Sequence, residues 1–437
     1  MNLDWQVCSR ARLSRDPRFD GKFFIAVLST GIYCRPICPS RSSKEENIRY
    51  YPTAAAAAEA GFRPCMRCRP ECSPGTPAWL GTSATVSRAL RLIAEGGLED
   101  GVEVLAERLG VGGRHLRRLF LKHLGATPSA VAQTSRLHFA KKLIDETTLP
   151  MTQVAAASGY GSVRRFNAGI RQVYNRTPVQ LRGLARRPAV QPENHYLFRL
   201  RYRPPYHWNG VLDFLAARAT PGVEVVEDGV YRRTISVNDS NGYVEVSHDE
   251  PNTGIAVRAQ FGDPAALFFI IERVRTMFDL NADWPTIQKA LETEPALTAI
   301  IRKEPGLRVP GCWNGFELAT TAVLNPALAC KLVRDFGKPF PCASGLTHLF
   351  PEPEALAGAD SETIRALTKI NFQRVGQTAA FLDQLRGIPG FTEQAVQYVA
   401  MRSLGEPDAF PSLSTAEPWR SYAAMYLWRR ITASAAR

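Results

Sequence analysis

Two cysteine pairs, each wedged between prolines and arginines, constrain this chain more than any other feature. Residues 31–41 read GIYCRPICPSR and residues 61–69 read GFRPCMRCR. The spacing is Cys34-x3-Cys38, then 26 residues, then Cys65-x2-Cys68. Four thiols at that spacing suit one tetrahedral Zn²⁺, and a region too small to bury a large core gains its folding energy from such an ion. Four thiolates on Zn²⁺ carry a net charge of −2. The spacing alone fits a purely structural metal. A metal-held sulfur is also a thiolate, the nucleophilic form of cysteine, and Arg35, Arg41, Arg63, Arg67 and Arg69 surround the pairs with groups that grip phosphate. Nine cysteines in 437 residues do not make a disulfide scaffold. With four at metal spacing they suit a reducing, cytoplasmic setting. No run of about 18 apolar residues and no apolar leader is present, so neither a membrane partner nor a signal peptide is expected.

The net charge of +13 is unevenly spread. Residues 1–187 hold 29 Lys+Arg against 14 Asp+Glu, whereas residues 188–437 hold 25 against 27. The basic excess belongs to the first part, as in a nucleic-acid binder. Pro-, Gly- and Ser-containing stretches at 72–83 and 185–194 read as linkers. They divide the chain into 1–75, 83–185 and a C-terminal half that splits into 195–280 and 283–437. YPTAAAAAEAGF (51–62) reads as a short helix stopped at Gly61, carrying the chain between the cysteine pairs. Residues 105–131 are echoed by 155–181 at a constant offset of 50: Ala106/Ala156, Leu116/Phe166, Thr127-Pro128/Thr177-Pro178. Each copy reads as helix, Gly-containing turn, second helix, which is a duplicated helix-turn-helix. The second helices are basic, with Arg114, His115, Arg117 and Arg118 in one and Arg164, Arg165 and Arg171 in the other. Leu116, Leu119, Phe120, Phe166 and Ile170 should face the core.

Residues 83–183 resemble the DNA-binding domain of AraC-type transcription regulators, most clearly through VAAASGYGSVRRFNAGIRQVYNRTP. The resemblance implies that residues 112–121 and 162–173, the latter opening at Ser162, are recognition helices for successive major grooves. Residues 1–75 resemble the N-terminal domain of the Ada adaptive-response family through FFIAVLSTGIYCRPICPSR and AAGFRPCMRC. That resemblance implies a zinc ion held by Cys34, Cys38, Cys65 and Cys68. It makes Cys34 the acceptor of a methyl group from a DNA methylphosphotriester, with Thr30, Arg41 and Arg63 touching DNA. Arg35 and Arg67, basic residues beside the ligands, are expected to contact DNA as well. Transfer would happen once per molecule and take the site from −2 to −1, easing its repulsion of the DNA backbone. The implied partners are double-stranded DNA, both alkylated and promoter, and RNA polymerase. The implied place is the cytoplasm, at the nucleoid.

In the C-terminal half, strands around one helix near 209–219 give an α+β unit. A Gly-Pro hairpin between helices (385–410) could offer backbone N–H groups to a phosphate. RYRPPYHWNGVLDFLAARATPGVE, GLRVPGCWNGFELATTAVL and PWRSYAAMYLWRR make this half similar to AlkA-type 3-methyladenine DNA glycosylases. These flip a damaged base into an aromatic pocket and use an aspartate there. In PDAFPSLSTAEPW the place of that acid holds Ser414, and Asp408 matches a different motif position. The hairpin keeps Gly387 and Gly390, but Thr392 and Glu393 replace a glycine and an uncharged residue. The expected fold is multidomain and mainly α with α+β parts. It comprises a small zinc-bound α/β domain, a duplicated helix-turn-helix domain, a TBP-like α+β domain and a helix-hairpin-helix glycosylase-like domain. The expected function is an alkylation-responsive transcription activator without base excision; the alternative is a regulator fused to a working glycosylase. No Pro-Cys-His-Arg motif occurs, so repair of O6-methylguanine is not expected.

Overall fold

The computed structural model describes residues 3–74, 84–98, 100–185, 192–340, 342, 345–372, 378–410, 413 and 416–435. Most of the two expected linkers, and Ser414, lie outside the described residues.

Residues 3–74 form a four-stranded sheet of order β3-β1-β2-β4: β1 (Phe24–Val27), β2 (Ile32–Cys34), β3 (Ile48–Tyr51) and β4 (Arg63–Pro64). Phe23, Phe24, Ile25, Ala26, Tyr33 and Ile48 are its buried core. The alanine run forms a helix over Ala54–Glu59, capped by Thr53 Oγ1 accepting from Ala56 N, and the chain leaves it through Gly61 at φ 90°.

The duplication survives in three dimensions with its offset intact. Helices Gly113–Leu124 and Val163–Tyr174 begin and end 50 residues apart, as do the Thr-Pro starts of Pro128–Glu146 and Pro178–Leu184. Leu116, Phe120 and Leu124 are buried at the positions where Phe166, Ile170 and Tyr174 are buried in the second copy. Leu119 is only half-buried. Thr127 and Thr177 each accept a backbone N–H at their helix start, with proline next, which fixes the boundary. The first copy has no side-chain cap: Gly112-Gly113 stand where the second has Ser162-Val163, and a Cβ on Gly113 would strike the Glu103 carboxylate.

The C-terminal half opens with an antiparallel sheet of order β5-β9-β8-β7-β6: β5 (His195–Arg201), β6 (Glu224–Glu227), β7 (Val230–Val237), β8 (Ser240–Asp249) and β9 (Gly254–Phe261). Tyr196, Phe198 and Leu200 of the edge strand β5 alternate inward, in the same core cluster as the helices Trp208–Ala216 and Leu267–Met277. Beyond Trp284 the described residues are mostly helical, and the helices Thr378–Arg386 and Glu393–Arg402 flank the expected hairpin.

The units are tied by polar contacts between sequence-distant residues. Tyr33 Oη lies 2.9 Å from His138 Nε2, and Arg69 Nη2 lies 2.8 Å from Asp145, both partners being on Pro128–Glu146. Arg203 donates from Nε to the carbonyl of Asp20 at 2.8 Å, and Lys22 pairs with the buried Asp283 at 2.5 Å. Among the described residues no helix is long and apolar enough to cross a membrane.

Candidate metal centre and DNA-facing surfaces

Parallel pairing of β2 with β4 sets Tyr33 beside Pro64 and so brings the end of one cysteine pair against the start of the other. Cys65 N donates to Tyr33 O at 2.9 Å, and tight turns, Cys38 N to Arg35 O and Arg69 N to Cys65 O, fold each pair back on itself. The four Sγ atoms of Cys34, Cys38, Cys65 and Cys68 all lie within 4.8 Å of one another. A tetrahedral zinc with Zn–S bonds of about 2.3 Å needs sulfurs about 3.8 Å apart, so the donor set fits Zn²⁺. Within the cluster, hydrogen bonding to Cys34 lowers the Cys38 and Cys65 thiols, while the neighbouring thiols hold Cys34 and Cys68 up. Four thiolates this close together coexist only around a cation. Cys65 and Cys68 are buried, whereas Cys34 and Cys38 are half-exposed.

Arg35 corrects one expectation. It is not a surface phosphate contact: it is 3% exposed. Its Nε donates to Asp20 Oδ1 at 2.8 Å, Nη2 pairs with Asp20 Oδ2, and Nη1 donates to Cys68 O at 3.0 Å. Its backbone N–H also donates to Cys68 Sγ at 3.3 Å. The side chain turns inward because the Asp20 carboxylate and the anionic cluster offer more than solvent does. Thr30, Arg41 and Arg67 are exposed, and Arg63 is half-buried on β4.

On Gly113–Leu124 the predicted contacts Arg114, His115, Arg117 and Arg118 are all exposed. Arg117 donates to Glu103 at 2.8 Å and Arg118 to His115 Nδ1 at 2.9 Å. Arg164 and Arg165 are exposed on the second copy. Ser162 has a structural duty, since its Oγ caps the helix by accepting from Arg165 N at 3.3 Å.

In the C-terminal half a cavity of about 580 Å³ opens between the sheet domain and the hairpin helices, among Trp313, Tyr398, Phe410 and Trp428. The acids lining it, Glu224 and Glu317, both lie against Arg233, with Arg233–Glu317 at 2.7 Å. The only trace of this buried pair in the sequence is a charged residue in an otherwise apolar strand and helix; nothing local indicates that the two meet. Asp408 does not line the cavity. Both its oxygens face Arg420, at 2.7 Å from Nε. In the hairpin, Gly387 is exposed, Gly390 sits at φ 79°, and Thr392 Oγ1 caps the next helix by accepting from Ala395 N. The Glu393 carboxylate takes both Arg386 Nε (2.9 Å) and Nη2 (3.0 Å), so hydrogen bonding to Arg386 lowers its carboxyl below the usual range.

Comparison with known proteins gives three family matches along the chain. Residues 7–71 match the metal-binding domain of Ada, 105–183 a helix-turn-helix domain and 197–314 the AlkA N-terminal domain. The chain is 38% identical to the "Probable bifunctional transcriptional activator/DNA repair enzyme AlkA" of Mycobacterium tuberculosis, over 99% of this chain and 97% of that one. It is 41% identical to the "Bifunctional transcriptional activator/DNA repair enzyme Ada" of Escherichia coli over 28% of this chain and 34% of that one. It is 26% identical to the E. coli "DNA-3-methyladenine glycosylase 2" over 53% of this chain and 96% of that one. A four-cysteine metal centre, a twice-repeated helix-turn-helix and a glycosylase-like half in one chain, matched end to end by such a relative, make this protein a member of the family of bifunctional Ada/AlkA transcriptional activators and DNA repair enzymes.

Proposed function

We propose that the protein takes a methyl group from a DNA methylphosphotriester onto Cys34 and then binds and activates promoters of alkylation-repair genes, engaging RNA polymerase in the cytoplasm at the nucleoid. The observation that carries this reading is the gathering of four sulfurs with Cys34 on the half-exposed side, among exposed arginines. Zinc, when bound, keeps the sulfurs deprotonated at neutral pH. The Cys34 sulfur attacks the methyl carbon, the C–O bond breaks, and its electron pair leaves with the phosphate oxygen as a phosphodiester anion. Arg41, Arg63 and Arg67 hold the flanking phosphates. Arg35 and Asp20 fix the loop that carries the acceptor. No group in the site restores the thiolate, so each molecule reacts once. After incubation with methylphosphotriester DNA, one methyl is expected on the peptide that contains Cys34. A methyl on Cys65, or none, refutes the assignment.

We further propose that the C-terminal half does not excise bases. A catalytic aspartate works by stabilising a developing cation from a preorganised position. Asp408 is instead neutralised by Arg420, and the cavity's two acids share Arg233. Glu393 fills the hairpin where a phosphate would sit. No release of 3-methyladenine from methylated duplex DNA is expected from the full chain. Turnover that disappears in Asp408→Asn would establish the alternative, a regulator with a working glycosylase.

A further inference from the structure

The edge strand β5 and the turn after it carry arginines at every second position: Arg199, Arg201 and Arg203. Their neighbours Phe198, Leu200 and Tyr202 are buried, so the arginines leave on the opposite face, which is turned toward residues 3–74. Arg203 is used up in docking the two units, with Nε on Asp20 O and Nη1 on Asn281 O. Beyond that anchor lies a cleft of about 210 Å³, with Arg199 and Arg201 on one wall and Arg67, Cys68 and Arg69 on the other. Most charges around it are matched. Arg69 pairs with Glu71 and Asp145, Glu146 pairs with Lys142, and Asp249 takes Arg199 at 3.2 Å. Arg67 and Arg201 have no hydrogen-bond or carboxylate partner among the described residues. The carboxylates that share the cleft, Glu146 and Asp249, are already taken by Lys142 and Arg199, so the Arg67 and Arg201 guanidiniums are left to an outside anion, and a phosphate oxygen suits both.

We propose that this cleft is a second-wall binding site for a backbone phosphate of the DNA presented to the cysteine cluster, with Arg199 and Arg201 of the glycosylase-like half completing the grip begun by Arg67. The site rests on the reading of residues 3–74 as a DNA-handling unit. It gives the sheet domain a task that does not depend on base excision. It also supplies a route for the switch. Methyl gain takes the cluster from −2 to −1, so the cleft beside Cys68 becomes more positive and holds the phosphate more tightly.

The test uses the full, zinc-loaded chain and the double variant R199Q/R201Q, with three readouts. These are methyl transfer from a duplex bearing one methylphosphotriester, the salt dependence of binding to the same duplex unmodified, and methylation of Cys34 by methyl iodide, which has no phosphate. In the variant, transfer from DNA should slow about tenfold and the log–log salt slope should fall by about 1–2, as for the loss of one or two phosphate contacts. The methyl iodide rate should be unchanged. Unaltered transfer and slope overturn the proposal. An equal loss with methyl iodide also overturns it, because the arginines then tune the cluster and do not hold DNA. If the parent chain accepts no methyl from DNA, the proposed function fails, and the salt slope still decides the cleft.

Discussion

Asp20→Asn isolates what holds the acceptor loop. Asp20 and Arg35 are 5% and 3% exposed at the side chain, and the carboxylate takes two of the guanidinium's donors. An amide keeps the shape but not the charge, so Arg35 stays buried as an uncompensated cation. Removing one partner of such a pair costs about 3–5 kcal/mol. The anionic cluster beside Arg35 supplies part of the missing charge, which points to the lower end, about 3 kcal/mol. At about 1.4 kcal/mol per decade this is roughly a 100-fold rise in local opening of residues 20–38. The assay is the rate of zinc release to a chromogenic chelator, with hydrogen exchange of the peptide spanning Phe24–Arg35. Asp20→Asn combined with Arg35→Met removes the stranded cation and should recover most of the loss. A release rate within threefold of the parent, or a double variant no better than the single, would refute the reasoning.

Phe166→Ala empties a fully buried site in the second helix-turn-helix and should cost about 3–5 kcal/mol in denaturant melts. Neutralising the exposed Arg164 and Arg165 together should leave the melt within about 1 kcal/mol, abolish most promoter binding and lower its salt slope. Burial, opposed by Arg308 and the Tyr422 hydroxyl, raises the Asp279 carboxyl to about 6. Its contribution to stability is therefore full below the unfolded value of about 3.9 and is lost as pH rises through 6. Asp279→Asn, which tolerates the φ of 46°, should match the parent near pH 4 and exceed it by about 1–3 kcal/mol at pH 8 in thermal melts.

The elements legible in the sequence were those whose cause is local or repeated. Thr-Pro starts, the alanine run before Gly61 and the offset of 50 each carry their own physics, and the helices fall where these predict. The cysteine cluster was legible because metal spacing encodes a long-range contact in a short pattern. Arg35 was not. Beside two cysteines it reads as a phosphate grip, and only the fold brings Asp20 to it. Arg199, Arg201 and Arg203 share one face of the chain at and beyond β5, and which surface that face meets is a matter of domain docking, which no local pattern carries. Arg233 and Glu317 stand 84 residues apart on different elements, with nothing local to announce their pairing.

The helix Pro128–Glu146 joins the two helix-turn-helix units, with only residues 147–150 outside helix before the second unit begins. Nineteen residues make a strut about 28 Å long, and inserting one residue would turn everything beyond it by about 100°. The second unit's angular phase relative to the first is therefore written in this helix as an integer number of residues. The same strut carries His138 and Asp145 against the cysteine-bearing unit. A length change would break the reading frame on DNA and the contact with the sensor in one stroke. On the proposed function, the spacing of the DNA segments met by the two helix-turn-helix units is locked to the geometry of the cysteine-bearing unit, and neither can drift without the other.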